Sequence, residues 1–123
     1  MANILSWFEI PVVDIDRAIN FYKKVFIYPE MQQMDFGGFK MAFFPTNSDE
    51  LGGALCKGEH YVPSGDGIVI YFSVNPDLSE ALSKVEPAGG KIIMPKKQIS
   101  EEYGYMAMFI DSEGNRIALH SQN

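Results

Sequence analysis

Apolar and polar positions alternate in the stretch "WFEIPV": Phe8, Ile10 and Val12 share one face of a predicted strand, while Trp7, Glu9 and Pro11 share the other. The period then changes. Ile15, Ala18, Ile19, Tyr22, Val25 and Phe26 recur at three- and four-residue steps, which predicts an amphipathic helix with Asp14 placed as its N-cap. Both patterns return in the second half of the chain. Ile68, Ile70, Phe72 and Val74 alternate with Val69, Tyr71 and Ser73, and Leu78, Ala81, Leu82, Val85 and Ala88 keep helical spacing behind Asp77. One extra residue at "NPD" absorbs the slip between the two copies, so the chain carries a duplicated strand-helix unit and not a solenoid.

Short strand-like runs follow each helix. In the first half they are "MQQMDF", "FKMAFFP" and "GGALCKG", with Gly37-Gly38 as a turn; in the second they are "KIIMP", "YGYMAMFID" and "RIALHS", with turns at Gly89-Gly90 and "DSEGN". The reading is an α+β fold of two βαβββ modules in one domain, the first spanning about 4–58 and the second about 66–122 of residues 1–123. Mostly antiparallel strands would carry the helices on their outer face, leaving the other face of each sheet to curl into a cup. The two cups together would form a pocket.

Composition narrows the partners. A formal charge of −6 and a pI near 4.8 disfavour nucleic-acid phosphate or an anionic membrane surface. No apolar run reaches the roughly 18 residues of a membrane-spanning helix. Cys56 is the single cysteine, which excludes an internal disulfide, and no signal-peptide pattern opens the chain, so a cytoplasmic location is expected. Cys56 reads as a small buried thiol and His60, in "KGEHYVPSGDG", as solvated. The glycine pairs match neither a dinucleotide fingerprint nor a phosphate-binding loop.

The paired βαβββ order, together with "PVVDIDRAINFYKKVF" and "YMAMFIDSEGNRIALHS", resembles the vicinal oxygen chelate superfamily of glyoxalase I, bleomycin-resistance proteins and extradiol dioxygenases. The resemblance spans nearly the whole chain, and small glyoxalase-like proteins are the nearest in kind. It implies a homodimer and a small-molecule ligand. Metal-dependent members hold a divalent ion with His, Glu or Gln side chains. Alignment of the motifs puts Trp7, Val69, Ala118 and either Ala54 or Leu55 at those positions, and none of these can ligate a metal. No cofactor is therefore expected, and a standard metal-dependent glyoxalase I or dioxygenase activity is disfavoured.

Glu9 and His120 each lie two residues beyond an aligned ligand position, on the strand face opposite the apolar one. Both are expected to point into a cup, where they would meet. Three readings stay open: an acid/base pair for proton transfer, polar anchors in a binding pocket, or a structural ion pair. A displaced metal site built on these two side chains is a fourth, although two ligands hold a divalent ion poorly. Trp7, Tyr71, Phe43, Tyr103 and Tyr105 are the candidate ligand-binding aromatics. Gly104 would permit close backbone approach, in an entrance segment or an edge strand. The function expected is small-molecule binding, the alternative being a metal-independent or displaced-metal lyase or isomerase that uses Glu9 and His120.

Overall fold

A computed structural model describes residues 4–47 and 49–123. The first module runs β1 (Trp7–Pro11), α1 (Ile15–Phe26), β2 (Gln33–Asp35), β3 (Lys40–Phe43) and β4 (Gly52–Lys57). The second runs β5 (Ile70–Ser73), α2 (Ser79–Val85), β6 (Lys91–Ser100), β7 (Gly104–Ile110) and β8 (Arg116–Ser121). Each module is one open four-stranded sheet, ordered β1-β4-β3-β2 in sheet A and β5-β8-β7-β6 in sheet B. In each, the first strand runs parallel to the last and the other neighbours are antiparallel. The α+β class and the repeat are as the patterning predicts. The segment around Gly104 differs: β7 lies between β6 and β8, so it is an inner strand and not an edge.

Helix α1 starts where Asp14 accepts a hydrogen bond from the Arg17 backbone N–H at 3.0 Å. It ends at Ile27, whose backbone is left-handed (φ 55°, ψ 48°). In α2, Asp77 lies one residue ahead of the cap position, Leu78. Its carboxylate accepts from the Ser79 N–H at 2.8 Å and pairs with Lys96 at 2.8 Å.

The apolar faces of both sheets share a single core around α1. Tyr22, fully buried, is 5.5 Å from Phe44 of the first module and 6.0 Å from Phe72 of the second, and Phe21 is 5.8 Å from Phe109. Phe8 of β1 meets Phe72 of β5 edge-on at 6.0 Å. Because side chains alternate along a strand, Glu9 and His120 lie on the faces opposite this core. A pocket of about 240 Å³ at the seam of the modules is lined by Glu9, Pro11, Ile70 and Arg116 and does not reach His120.

Both family-like motifs meet at the seam between the modules. Glu113, in the β7–β8 turn, accepts from the backbone N–H groups of Val13 (2.9 Å) and Asp14 (2.8 Å) and from the Arg17 guanidinium (2.7 and 3.0 Å). The Tyr22 hydroxyl donates to buried Asp111 at 2.7 Å, and Asn115 donates to the Pro11 carbonyl at 2.7 Å. These contacts lock one module's helix onto the other module's hairpin.

Candidate functional site

The outward face of sheet A is set by register. Glu9, Ala54 and Phe43 form one cross-strand row, Trp7 and Gly52 a second, and Pro11, Cys56, Met41 and Met34 a third. Gly52 leaves room for the Trp7 ring on this face, since a Cβ there would sit 3.1 Å from its Cζ3 atom. On the core face, a Cβ on Gly53 would come within 2.4 Å of the Phe8 ring. A pair of glycines thus lets two aromatic rings lie against β4, one on each side.

Glu9 sits between two aromatic donors. The Tyr61 hydroxyl donates to Oε1 at 2.6 Å and the Trp7 indole N–H to Oε2 at 3.2 Å. Tyr61 stacks on Phe39 at 5.4 Å and Phe39 on Phe36 at 5.9 Å, while Trp7 meets Phe43 edge-on at 6.0 Å. The hydrogen bond to Glu9 is the main cause that lifts the Tyr61 hydroxyl to about 12, so it remains a donor at neutral pH. Burial, reinforced by Glu9, pushes the Cys56 thiol to about 12 as well, leaving it an unreactive group in the floor. Shallow depressions of about 440 Å³ beside Trp7 and Phe43 and about 450 Å³ beside Phe39 and Tyr61 open on this module, while Glu9 itself lines a separate pocket of about 240 Å³ with Pro11, Ile70 and Arg116.

On sheet B the outward rows are Tyr71, Ala118 and Met108, then Ser73, His120 and Met106. His120 Nε2 lies 2.6 Å from the Tyr103 carbonyl oxygen, which can only accept, so this nitrogen carries the proton. The Tyr103 side chain is exposed. A cleft of about 550 Å³ opens beside Tyr71 at the seam with β1, walled by Phe8, Tyr28, Phe44 and Phe72.

The sequence-derived candidates are thus divided. Trp7, Glu9 and Phe43 come together on sheet A; Tyr71, His120 and Tyr103 lie on sheet B. Tyr105 faces the other way, packed against the core beneath the Lys96 ammonium, 4.7 Å from its ring centroid. Glu9 and His120 do not meet: each has its own partners, and the ion pairs among the described residues do not include them. Tyr61 was missed by sequence reasoning, because it lies in a Gly- and Pro-containing loop with no period to place it. His60 beside it is exposed. Trp7, Val69, Ala118 and Ala54 or Leu55 offer no donor for a divalent ion, and among the described residues no group of three His, Cys, Asp or Glu side chains converges.

A model of the glyoxalase/bleomycin resistance protein/dioxygenase superfamily matches residues 4–119. The chain belongs to that superfamily. No curated protein matches it. Among solved structures, a glyoxalase/bleomycin resistance protein/dioxygenase domain from Frankia sp. EAN1pec is 14% identical over 100% of both chains, with a TM-score of 0.75. TnmS3, an antibiotic-binding protein from Streptomyces sp. CB03234, is 21% identical over 99% of this chain and 98% of its own, with a TM-score of 0.70. Glyoxalase I from Zea mays is 19% identical over 96% of this chain, with a TM-score of 0.70. The chain spans about half the length of the maize enzyme, 46%. At these identities the likeness is one of fold. Among the described residues no helix is long and apolar enough to cross a membrane.

Proposed function

We propose that this superfamily member is a metal-independent small-molecule-binding protein whose site lies on the outward sheet faces. The observation that carries the reading is Glu9, a half-buried carboxylate held by Trp7 and Tyr61 at the centre of an apolar, aromatic face. Mostly apolar walls with a few oriented polar groups are what small-ligand sites present. Both carboxylate oxygens already accept hydrogen bonds, which suits an anchor better than a general base.

The site is completed by a second copy of the chain. Trp7 is 41% exposed and Tyr71 50%, an arrangement consistent with sheet faces that are covered in a larger assembly. β1 and β5 are edge strands with one side unpaired, so sheet A of one protomer can adjoin sheet B of its partner. In that homodimer Glu9 of one chain faces His120 of the other across one cup. Tyr71 lines the wall, and Tyr103 orients the His120 ring.

The test is a ligand screen by thermal shift, followed by mass spectrometry of the recovered compound. A binder raises the melting temperature and returns its ligand unchanged, and Glu9→Gln and His120→Asn weaken affinity. Conversion of the compound, with the substitutions lowering turnover more than binding, would instead establish the lyase or isomerase reading. Substitutions that alter melting temperature alone would leave Glu9 and His120 as structural groups.

A further inference from the structure

We infer that the ligand of the Glu9 face is a small organic cation, an ammonium or amidinium on an apolar body, bound at the Glu9 carboxylate beside Trp7 and Tyr61. The inference rests on the binding function proposed above and names its ligand class. Among the strand positions of the outward face of sheet A, Glu9 is the only ionisable side chain apart from the buried thiol of Cys56; the rest are Trp7, Pro11, Met34, Met41, Phe43, Gly52 and Ala54. The nearest lysines in register, Lys40 and its partner Lys57, alternate onto the opposite face.

Each carboxylate oxygen accepts one bond, from Tyr61 or from Trp7, and keeps lone-pair capacity for a further donor. The two donors fix the carboxylate between the polar edges of an indole and a phenol ring. Phe39 stacked on Tyr61 and Phe43 against Trp7 extend the apolar walls past the charged centre. An anion would meet the Glu9 charge with no basic group of sheet A to offset it, since Arg116 of sheet B, which lines a small pocket with Glu9, donates to the Gly67 carbonyl; the chain's formal charge of −6 adds to that bias. A neutral ligand would forgo the charge-assisted hydrogen bond.

Trp7 is the only tryptophan of the chain, so its fluorescence reports directly on this face. The experiment titrates the intact protein with benzylammonium, benzyl alcohol and benzoate, exciting the indole selectively. Benzylammonium is expected to bind about tenfold more tightly than benzyl alcohol, with benzoate weakest. Glu9→Gln should bring benzylammonium to the level of the alcohol while leaving the alcohol's affinity within about twofold. Tyr61→Phe, which keeps the ring and loosens the carboxylate, should reduce the preference only in part. Equal affinities, or a preference for benzoate, would overturn the cation assignment while leaving a small-molecule site in place. No change of Trp7 fluorescence with any of the three would overturn both.

Discussion

Replacing Glu113 by glutamine tests the lock between the modules. The Glu113 side chain is fully buried against α1, and its carboxylate accepts from two backbone N–H groups, two guanidinium nitrogens and the Ser112 hydroxyl. Burial by itself pushes this carboxyl upward, but the donors from Arg17, Asp14, Val13 and Ser112 outweigh it and hold it at about 2, against an ordinary 4.5. That difference corresponds to ~3 kcal/mol, reduced to ~2 kcal/mol because the Arg17 partner is half-exposed and solvent-screened. Glutamine keeps an acceptor for the Val13 and Asp14 N–H groups but turns an NH₂ toward a guanidinium. The melting temperature should therefore fall by roughly 6–10 °C at pH 7, as followed by circular dichroism.

The pH dependence carries its own sign. The folded-state value lies below the unfolded one, so the stabilisation is complete above the ordinary carboxylate range and is lost as pH falls from 4.5 toward about 2. The gap between wild type and Glu113→Gln should narrow through that window. A variant that melts within a degree of wild type at pH 7, or a gap that stays constant down to pH 2.5, would refute the lock.

Three further substitutions probe the packing. Gly53→Ala would drive a Cβ to within 2.4 Å of the Phe8 ring, so urea denaturation should show a loss of ~1–3 kcal/mol. Tyr22→Phe deletes the 2.7 Å hydrogen bond to Asp111, a buried charged acceptor, and should cost ~1–3 kcal/mol in the same assay. Ile27→Gly should stabilise by about 1 kcal/mol, because a β-branched residue at φ 55° is strained and its side chain, 68% exposed, gives up little burial.

The fold was legible because its determinants are local and periodic. Phe8, Ile10 and Val12 alternate and Tyr22 recurs with Ile15 and Ile19, so strand, helix and repeat follow from spacing alone. Strand parity also placed Glu9 and His120 correctly on the faces away from the helices. Parity is silent on whether two such faces look at one another, since that is set by the packing of the modules and not by alternation along a strand. Tyr105 shows a signal that was present but unused: it shares parity with buried Ala107 and Phe109, which turns it toward the core. Tyr61 offered no such signal, since its place over Glu9 is made by a loop crossing the sheet. The family-like motifs were visible as patterns, but their role as an intermodule clamp rests on contacts about a hundred residues apart, from Val13 to Glu113.

Mixing two variants of weakened affinity tests most directly that the site spans two copies. Glu9→Gln and His120→Asn chains, unfolded together and refolded in equal amounts, should form mixed dimers in which one cup combines the intact Glu9 of one chain with the intact His120 of the other. Random pairing predicts recovery of about a quarter of the wild-type sites at wild-type affinity in a calorimetric titration. Recovery of none, with each variant folded and dimeric, would contradict a site shared between protomers.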